Sequence, residues 1–203
     1  MSSLLTVIEL FLLINQCTPE VHPRTMAAII EAESSRNIYA INVNKNGFSQ
    51  PKPETLEEAK LTFVALQEQG INFDVGLGQI NSANFSAYGL TSENAFDPCT
   101  NLRAAGDILT QNFLSASKSF ENEQESLYAA ISAYNTGNYK HGLENGYVNM
   151  VTERASKFVV PDIEIKVSDI NGDAVNQITD FKETWRVFDS GQSIPEKSVL
   201  VFK

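Results

Sequence analysis

RTMAAIIEAESSR, residues 24–36, is the stretch whose reading decides how this chain folds. Pro23 stands just before it, where a helix tolerates proline because the missing amide hydrogen would have had no partner. The run itself is rich in alanine and holds no glycine or proline. With Ile30 set at zero and steps of about 100° per residue, Met26 falls near −40°, Glu33 near −60° and Ile29 near −100°. Glu33 therefore projects from within an apolar stripe, whereas Glu31, near +100°, takes the side where a solvated charge belongs. A carboxyl among apolar neighbours loses hydration of its charged form, which raises its pKa and suits it to act as a general acid near neutral pH. The bland alternative is a glutamate at a helix end whose head reaches water, and periodicity does not separate the two.

The same period runs outward on both sides. Pro53-Glu54-Thr55 opens ETLEEAKLTFVALQEQ, which stops at Gly70, and Asp97-Pro98 opens CTNLRAAGDILTQNFLSAS. EQESLYAAISAYNTG ends at Gly137, and YVNMVTERASKFVV follows. No run alternates apolar and polar residues as a half-buried strand would, so residues 1–160 read as an all-α domain. From Pro161 the helical period is lost and short β-prone pieces, IEIKV and SVLVF, alternate with polar ones; residues 161–203, with Trp185, read as an appended C-terminal tail.

At the start, MSSLLTVIELFLLINQC has an apolar run from Leu4 to Ile14 that is too short for a membrane span and is interrupted by Glu9. No Lys or Arg precedes Arg24 and no small-residue cleavage site is evident, so the run reads as an ordinary first helix rather than a secretory signal. Its expected inward side carries Leu4, Ile8, Leu12 and Asn15, with Phe11 beside them.

Composition excludes several function classes. The 203 residues are 42% hydrophobic and 20% charged, against a disordered chain. With 25 acidic and 15 basic residues the formal charge is −10, opposite to what binding a polyanion requires, so nucleic acid is not an expected ligand. Cys17 and Cys99 with His22 and His141 offer no zinc-ligand spacing. Asp169, Asn171, Asp173 and Asp180 match four positions of a calcium loop, but Ala174 stands where that loop needs glycine, while Gly172 comes two residues early, so an Asn-Gly turn is the better reading and no metal is expected. Whether Cys17 and Cys99 pair is left open by the spacing alone; a bond between them would close a long loop.

Two further stretches carry polar chemistry. In INFDVGLGQINSANF, residues 71–85, Gly76 and Gly78 allow close backbone approach, and Gln79, Asn81 and Asn84 offer uncharged amides suited to a hydroxyl-rich ligand such as a sugar. A plain polar loop is the alternative. A dinucleotide fingerprint fails there, because Asn81 occupies the third glycine position and no apolar strand precedes it. In AYNTGNY, residues 133–139, Tyr134 and Asn135 close an apolar helix before Gly137; they serve either to orient a buried carboxyl and hold a sugar, or simply as a helix end with a packed aromatic.

Taken in order, Glu33-Ser34, GLGQI at 76–80 and AYNTG at 133–137 make this chain resemble the soluble lytic transglycosylase family. ESSRNIYAINVN, NFDVGLGQINSANF, FDPCTNLRAA, AYNTGN and NGYV look like its branch associated with type IV secretion and conjugation machines, over about residues 15–155. The resemblance implies a lysozyme-like domain that needs no cofactor and cleaves the β-1,4 bond between N-acetylmuramic acid and N-acetylglucosamine in peptidoglycan. It implies cleavage without water: one glutamate, here Glu33, protonates the leaving oxygen and then takes the proton of the muramic C6 hydroxyl as a 1,6-anhydro ring closes. Glu31 is then dispensable.

By the same resemblance Gln79 contacts sugar with help from Asn81, Tyr134 hydrogen-bonds the catalytic glutamate, and Asn135 and Gly137 shape the floor. Cys99 of DPCTNL pairs with a cysteine near the N-terminus, here Cys17, which places the protein in an oxidising periplasm. Two other readings stay open: a muramidase in which Asp74 is a second carboxylate that activates water, and a non-catalytic glycan-binding assembly module whose tail recruits secretion-apparatus proteins. An acidic protein working on an anionic wall is not steered to it by long-range attraction. Uncharged Gln79, Asn81, Asn135 and Tyr39 are therefore expected to dominate sugar binding.

Overall fold

Thr6 starts the first helix. A computed structural model describes residues 3–160 of the chain, and in it α1 (Val7–Cys17) begins with a reciprocal cap. The Glu9 amide donates to Thr6 Oγ1 at 3.2 Å and the Thr6 amide donates to the Glu9 carboxylate at 2.8 Å. Between them the two side chains satisfy two amides that a helix start leaves unbonded. The helix is as expected, but its orientation is not. Leu10, Phe11, Ile14 and Cys17 are buried, whereas Leu4, Ile8 and Leu12 are 48%, 61% and 45% exposed. The run is apolar nearly all round, so its period could not choose a face. Packing chooses it, through the edge-to-face contact of Phe11 with Phe158 (5.8 Å) and the bond from Cys17 to Cys99.

Helix α2 (Pro23–Ser34) starts at Pro23 as read, with the His22 ring nitrogen accepting from the Arg24 amide. The chain then runs through β1 (Ile41–Val43), α3 (Leu56–Glu68), β2 (Phe73–Val75), β3 (Ile80–Asn81), a 3-10 turn (Ser82–Asn84) and α4 (Phe85–Tyr88). It finishes with α5 (Pro98–Ala116), α6 (Glu123–Thr136), α7 (His141–Glu144) and α8 (Tyr147–Lys157). Asp97 caps α5 through the Thr100 amide, and Gly137, with φ of 67°, ends α6. Both boundaries are where the sequence put them.

The fold is helical, with α5 packed on α6 and α1, and α2 on α8 and α1. The addition is a three-stranded antiparallel sheet in the order β1-β2-β3, pairing Asn42 with Asp74 and Asp74 with Asn81. Strands of two or three residues are too short to print an alternating pattern, which is why the sequence shows none. Their inner faces rest on an aromatic cluster in which Phe63 stacks on Phe85 (5.0 Å) and meets Phe73 edge-on (5.3 Å). Among the described residues no helix is long and apolar enough to cross a membrane. The tail (161–203), Trp185 and the residues Asp169 to Asp180 lie outside the described residues.

Cys17 and Cys99 form the disulfide that the family resemblance implied, with 5.3 Å between their Cα atoms. It joins the end of α1 to the first turn of α5. In the loop-entropy account a ring spanning more than 80 residues stabilises the folded state by roughly 4.5 kcal/mol. Replacing both cysteines with serine is expected to lower the unfolding free energy by about 2–5 kcal/mol in denaturant titrations under oxidising conditions. The same titrations with reductant should show little difference between the two proteins.

Candidate active site

Helices α2, α5 and α6 and strands β2 and β3 converge on one cleft. Its volume is about 590 Å³, within the range of ligand-binding pockets. Glu33 enters it from α2, Asp74 from β2, Gln79 and Asn81 from the Gly-rich turn and β3, and Tyr134 and Asn135 from α6. Gln79 and Tyr134, 55 positions apart in the chain, and Glu33 and Tyr134, 101 apart, thus line a single groove.

Burial pushes the Glu33 carboxyl up to about 7, and the negative charge of Asp74 adds to the rise. Opposing both, the Tyr147 hydroxyl donates a hydrogen bond to Glu33 Oε1 and favours the ionised form. This is a correction to the expected partner. Tyr134 donates instead to the Gly78 carbonyl at 2.7 Å, closing α6 onto the Gly-rich turn. Gly78 has to be glycine for that closure, since a Cβ there would lie 2.6 Å from the Ala105 methyl and 2.9 Å from the Tyr134 hydroxyl. Burial raises both tyrosines well above the ordinary range, so each is a neutral donor at physiological pH.

Tyr147 is the residue whose role sequence reasoning missed, although NGYV contains it. Its signal is the Asn-Gly pair in front of it. Gly146 takes φ of 84° and Asn145 Oδ1 accepts from the Tyr147 amide, which fixes Tyr147 at the first position of α8 with its ring turned inward. Asn101 was missed as well. It is buried, donating from Nδ2 to the carbonyls of Val75 and Ala95 (3.0 Å each) and accepting at Oδ1 from the Gly78 amide (2.8 Å). Gly76 makes room for it, because a Cβ at that φ of 76° would stand 2.3 Å from Asn101 Nδ2.

The end of α2 is held under strain. Ser35 and Arg36 both take left-handed backbone, with φ of 50° and 69°, at a cost of order 1 kcal/mol each. The Arg36 guanidinium secures the turn, donating to the Glu31 carboxylate at 2.8 Å and to the Leu5 carbonyl at 3.0 Å. Arg154 of α8 donates to the Glu31 carbonyl. Glu31 is therefore half-buried and ion-paired, not the solvated charge its helical position implied. It anchors the turn next to Glu33, so dispensability extends at most to the chemistry. Ser34 bonds back to the Ile30 carbonyl of its own helix.

The other expected sugar contacts divide. Gln79, with φ of 48°, spends its amide hydrogens on the carbonyls of Gly76 (2.9 Å) and Ala40 (3.2 Å), so Oε1 is the atom it has to offer a sugar hydroxyl. Asn81 lines the cleft, but its amide is committed to Asp74, Asn72 and the Ala83 amide. Asn135 is exposed at the rim and accepts from Asn145. Tyr39 is not in the cleft: it is buried and packs edge-on against Phe96.

A helical domain with a half-buried acid of raised pKa facing a polar groove is the arrangement of a glycosidase-like site, and the family comparison agrees. The transglycosylase SLT domain matches residues 12–155, and the chain belongs to that family. Among its relatives, protein virB1 of Agrobacterium fabrum (strain C58) is 42% identical over 151 residues, 72% of this chain and 59% of the relative. The type IV secretion system protein virB1 of Brucella abortus biovar 1 is 37% identical over 165 residues, 78% of this chain and 69% of the relative. The chain thus spans about three fifths of the Agrobacterium protein's length. No solved structure matches the chain.

Because the Tyr147 hydrogen bond holds the Glu33 pKa down, Tyr147→Phe should raise the pH at which the Glu33 carboxyl titrates, followed by NMR of its side-chain carboxyl carbon.

Proposed function

We propose that this chain is a peptidoglycan lytic transglycosylase that opens the cell wall locally for a type IV secretion or conjugation apparatus. The observation that carries the reading is Glu33: a carboxyl raised to about 7 by burial, oriented by Tyr147, in a polar groove that it shares with Asp74. The virB1 names of its relatives support the cellular setting, and the Cys17–Cys99 bond supports an oxidising compartment, the periplasm.

Near neutral pH a large share of Glu33 is protonated, which a glutamate at its ordinary pKa would not be. The acid donates its proton to the glycosidic oxygen, and the bond from that oxygen to the muramic C1 breaks with its electron pair leaving on oxygen. The muramic C6 hydroxyl oxygen then bonds to C1, and its proton passes to the Glu33 carboxylate. The acid is regenerated, a 1,6-anhydro ring is formed and no water is consumed. Gln79 Oε1 and the rim amide of Asn135 bind sugar hydroxyls on either side of the break. The tail, residues 161–203, is the segment assigned to contact secretion-apparatus proteins.

Mass spectrometry of fragments from purified peptidoglycan tests this reading. Wild type should yield anhydro-muramic ends and Glu33→Gln none; reducing ends would instead mean hydrolysis, with Asp74 activating water.

The same substitution carries a stability signature. The folded pKa of Glu33, about 7, lies above the unfolded value of about 4.5. Stability is therefore greatest when both states are protonated, falls as pH rises from about 4.5 to about 7, and stays low above that. Glu33→Gln removes the penalty, so its melting temperature should exceed that of wild type by more at pH 8 than at pH 5.

A further inference from the structure

Asp74 takes no part in the steps above, yet it stands in the same cleft as Glu33. It is the middle residue of β2, flanked in register by Asn42 on β1 and Asn81 on β3. Each of its carboxylate oxygens accepts from a neutral amide: Oδ1 from Asn81 Nδ2 at 2.7 Å and Oδ2 from Asn44 Nδ2 at 2.8 Å. Asn72 braces both donors, accepting at Oδ1 from Asn44 and from Asn81 (2.9 Å each) and donating back to Asn81 Oδ1 at 2.8 Å. The three asparagines fix the direction of the carboxylate without neutralising it. The ion pairs among the described residues, Arg36 with Glu31 and Lys60 with Glu93, do not involve it.

A carboxylate held by amides, beside an acid whose ionisation it opposes, divides the labour of a glycosidic cleavage. One carboxyl stays protonated and delivers a proton; the other stays charged and faces the positive charge that develops at the anomeric carbon. Held rigidly beforehand, such a charge needs no reorganisation when the bond breaks.

We propose that Asp74 is a second catalytic residue of the transglycosylase reaction, supplying the fixed negative charge against which the oxocarbenium-like charge at the muramic C1 develops. This rests on the reading of Glu33 as the single proton carrier. Asp74 forms no bond and moves no proton: the electron pair of the broken bond leaves on oxygen, and the bond that replaces it comes from the C6 hydroxyl. That separates the role from hydrolysis, in which Asp74 would take a proton from water.

The test compares wild type and Asp74→Asn on purified peptidoglycan, following rate against substrate concentration, product ends and pH. Three groups face Glu33: Tyr147 from α8, Tyr134 from α6 and Asp74 from β2, with Arg154 of α8 acting on Tyr147. Removing the Asp74 charge leaves the tyrosines in place, so the basic limb should move to lower pH, opposite to Tyr147→Phe. The expected result is also a kcat lower by about 10²–10³-fold, KM within about threefold on the view that neutral side chains bind the ground state, and anhydro ends still the product. Asp74→Ser, which cannot turn an amide donor towards Asn44 and Asn81, should show the same loss if the asparagine variant melts early.

Variants that cleave within threefold of wild type with an unmoved basic limb would overturn the assignment while leaving the transglycosylase reading intact. Reducing ends from wild type would overturn both, with Asp74 activating water. No cleavage by wild type would overturn both in favour of a glycan-binding module.

Discussion

Everything in this molecule that bears on chemistry depends on holding one carboxyl out of water. Glu33 sits where a helix ends, and helix ends ordinarily open to solvent. Here Tyr147 donates to the carboxyl, Tyr134 lines the same cleft, and the chain leaves the helix through two residues in left-handed backbone. The resulting rise in pKa is a cost to the folded state and a gain to the reaction, since the same desolvation that disfavours the anion keeps the proton available.

Around that carboxyl the rest of the fold acts as bracing. Arg36 and Arg154 fasten the end of α2 to the N-terminal segment and to α8 through Glu31. Asn101 ties the Gly-rich turn to α5, and the disulfide ties α5 to α1. The small sheet then presents Asp74 and its asparagines opposite the acid. Polar groups that a sequence reader would assign to substrate are to a large extent consumed by this bracing. The groove keeps only a few uncommitted atoms for sugar.

Most of the helices were legible because their signals are local: Pro23, Asp97-Pro98, Gly70 and Gly137 mark boundaries by backbone chemistry alone. Glu33 was legible twice, from its place on the helical wheel and from the family motif. What the sequence hid depends on partners far along the chain. The face of α1 was undecidable because the run is apolar all round and its partners, Phe158 and Cys99, lie over 80 residues away. The strands escaped notice because each is shorter than the pattern that would betray it. The exchange of Tyr134 for Tyr147 as the partner of Glu33, and the burial of Tyr39 against Phe96, are matters of side-chain direction that residue type does not encode.

The central claim is that Glu33 holds its proton near neutrality before any substrate arrives. Titration of its side-chain carboxyl carbon by NMR in the free protein, assigned against Glu33→Gln, addresses it most directly. The account predicts a midpoint at about 7; a midpoint at the ordinary glutamate value, about 4.3, would contradict it.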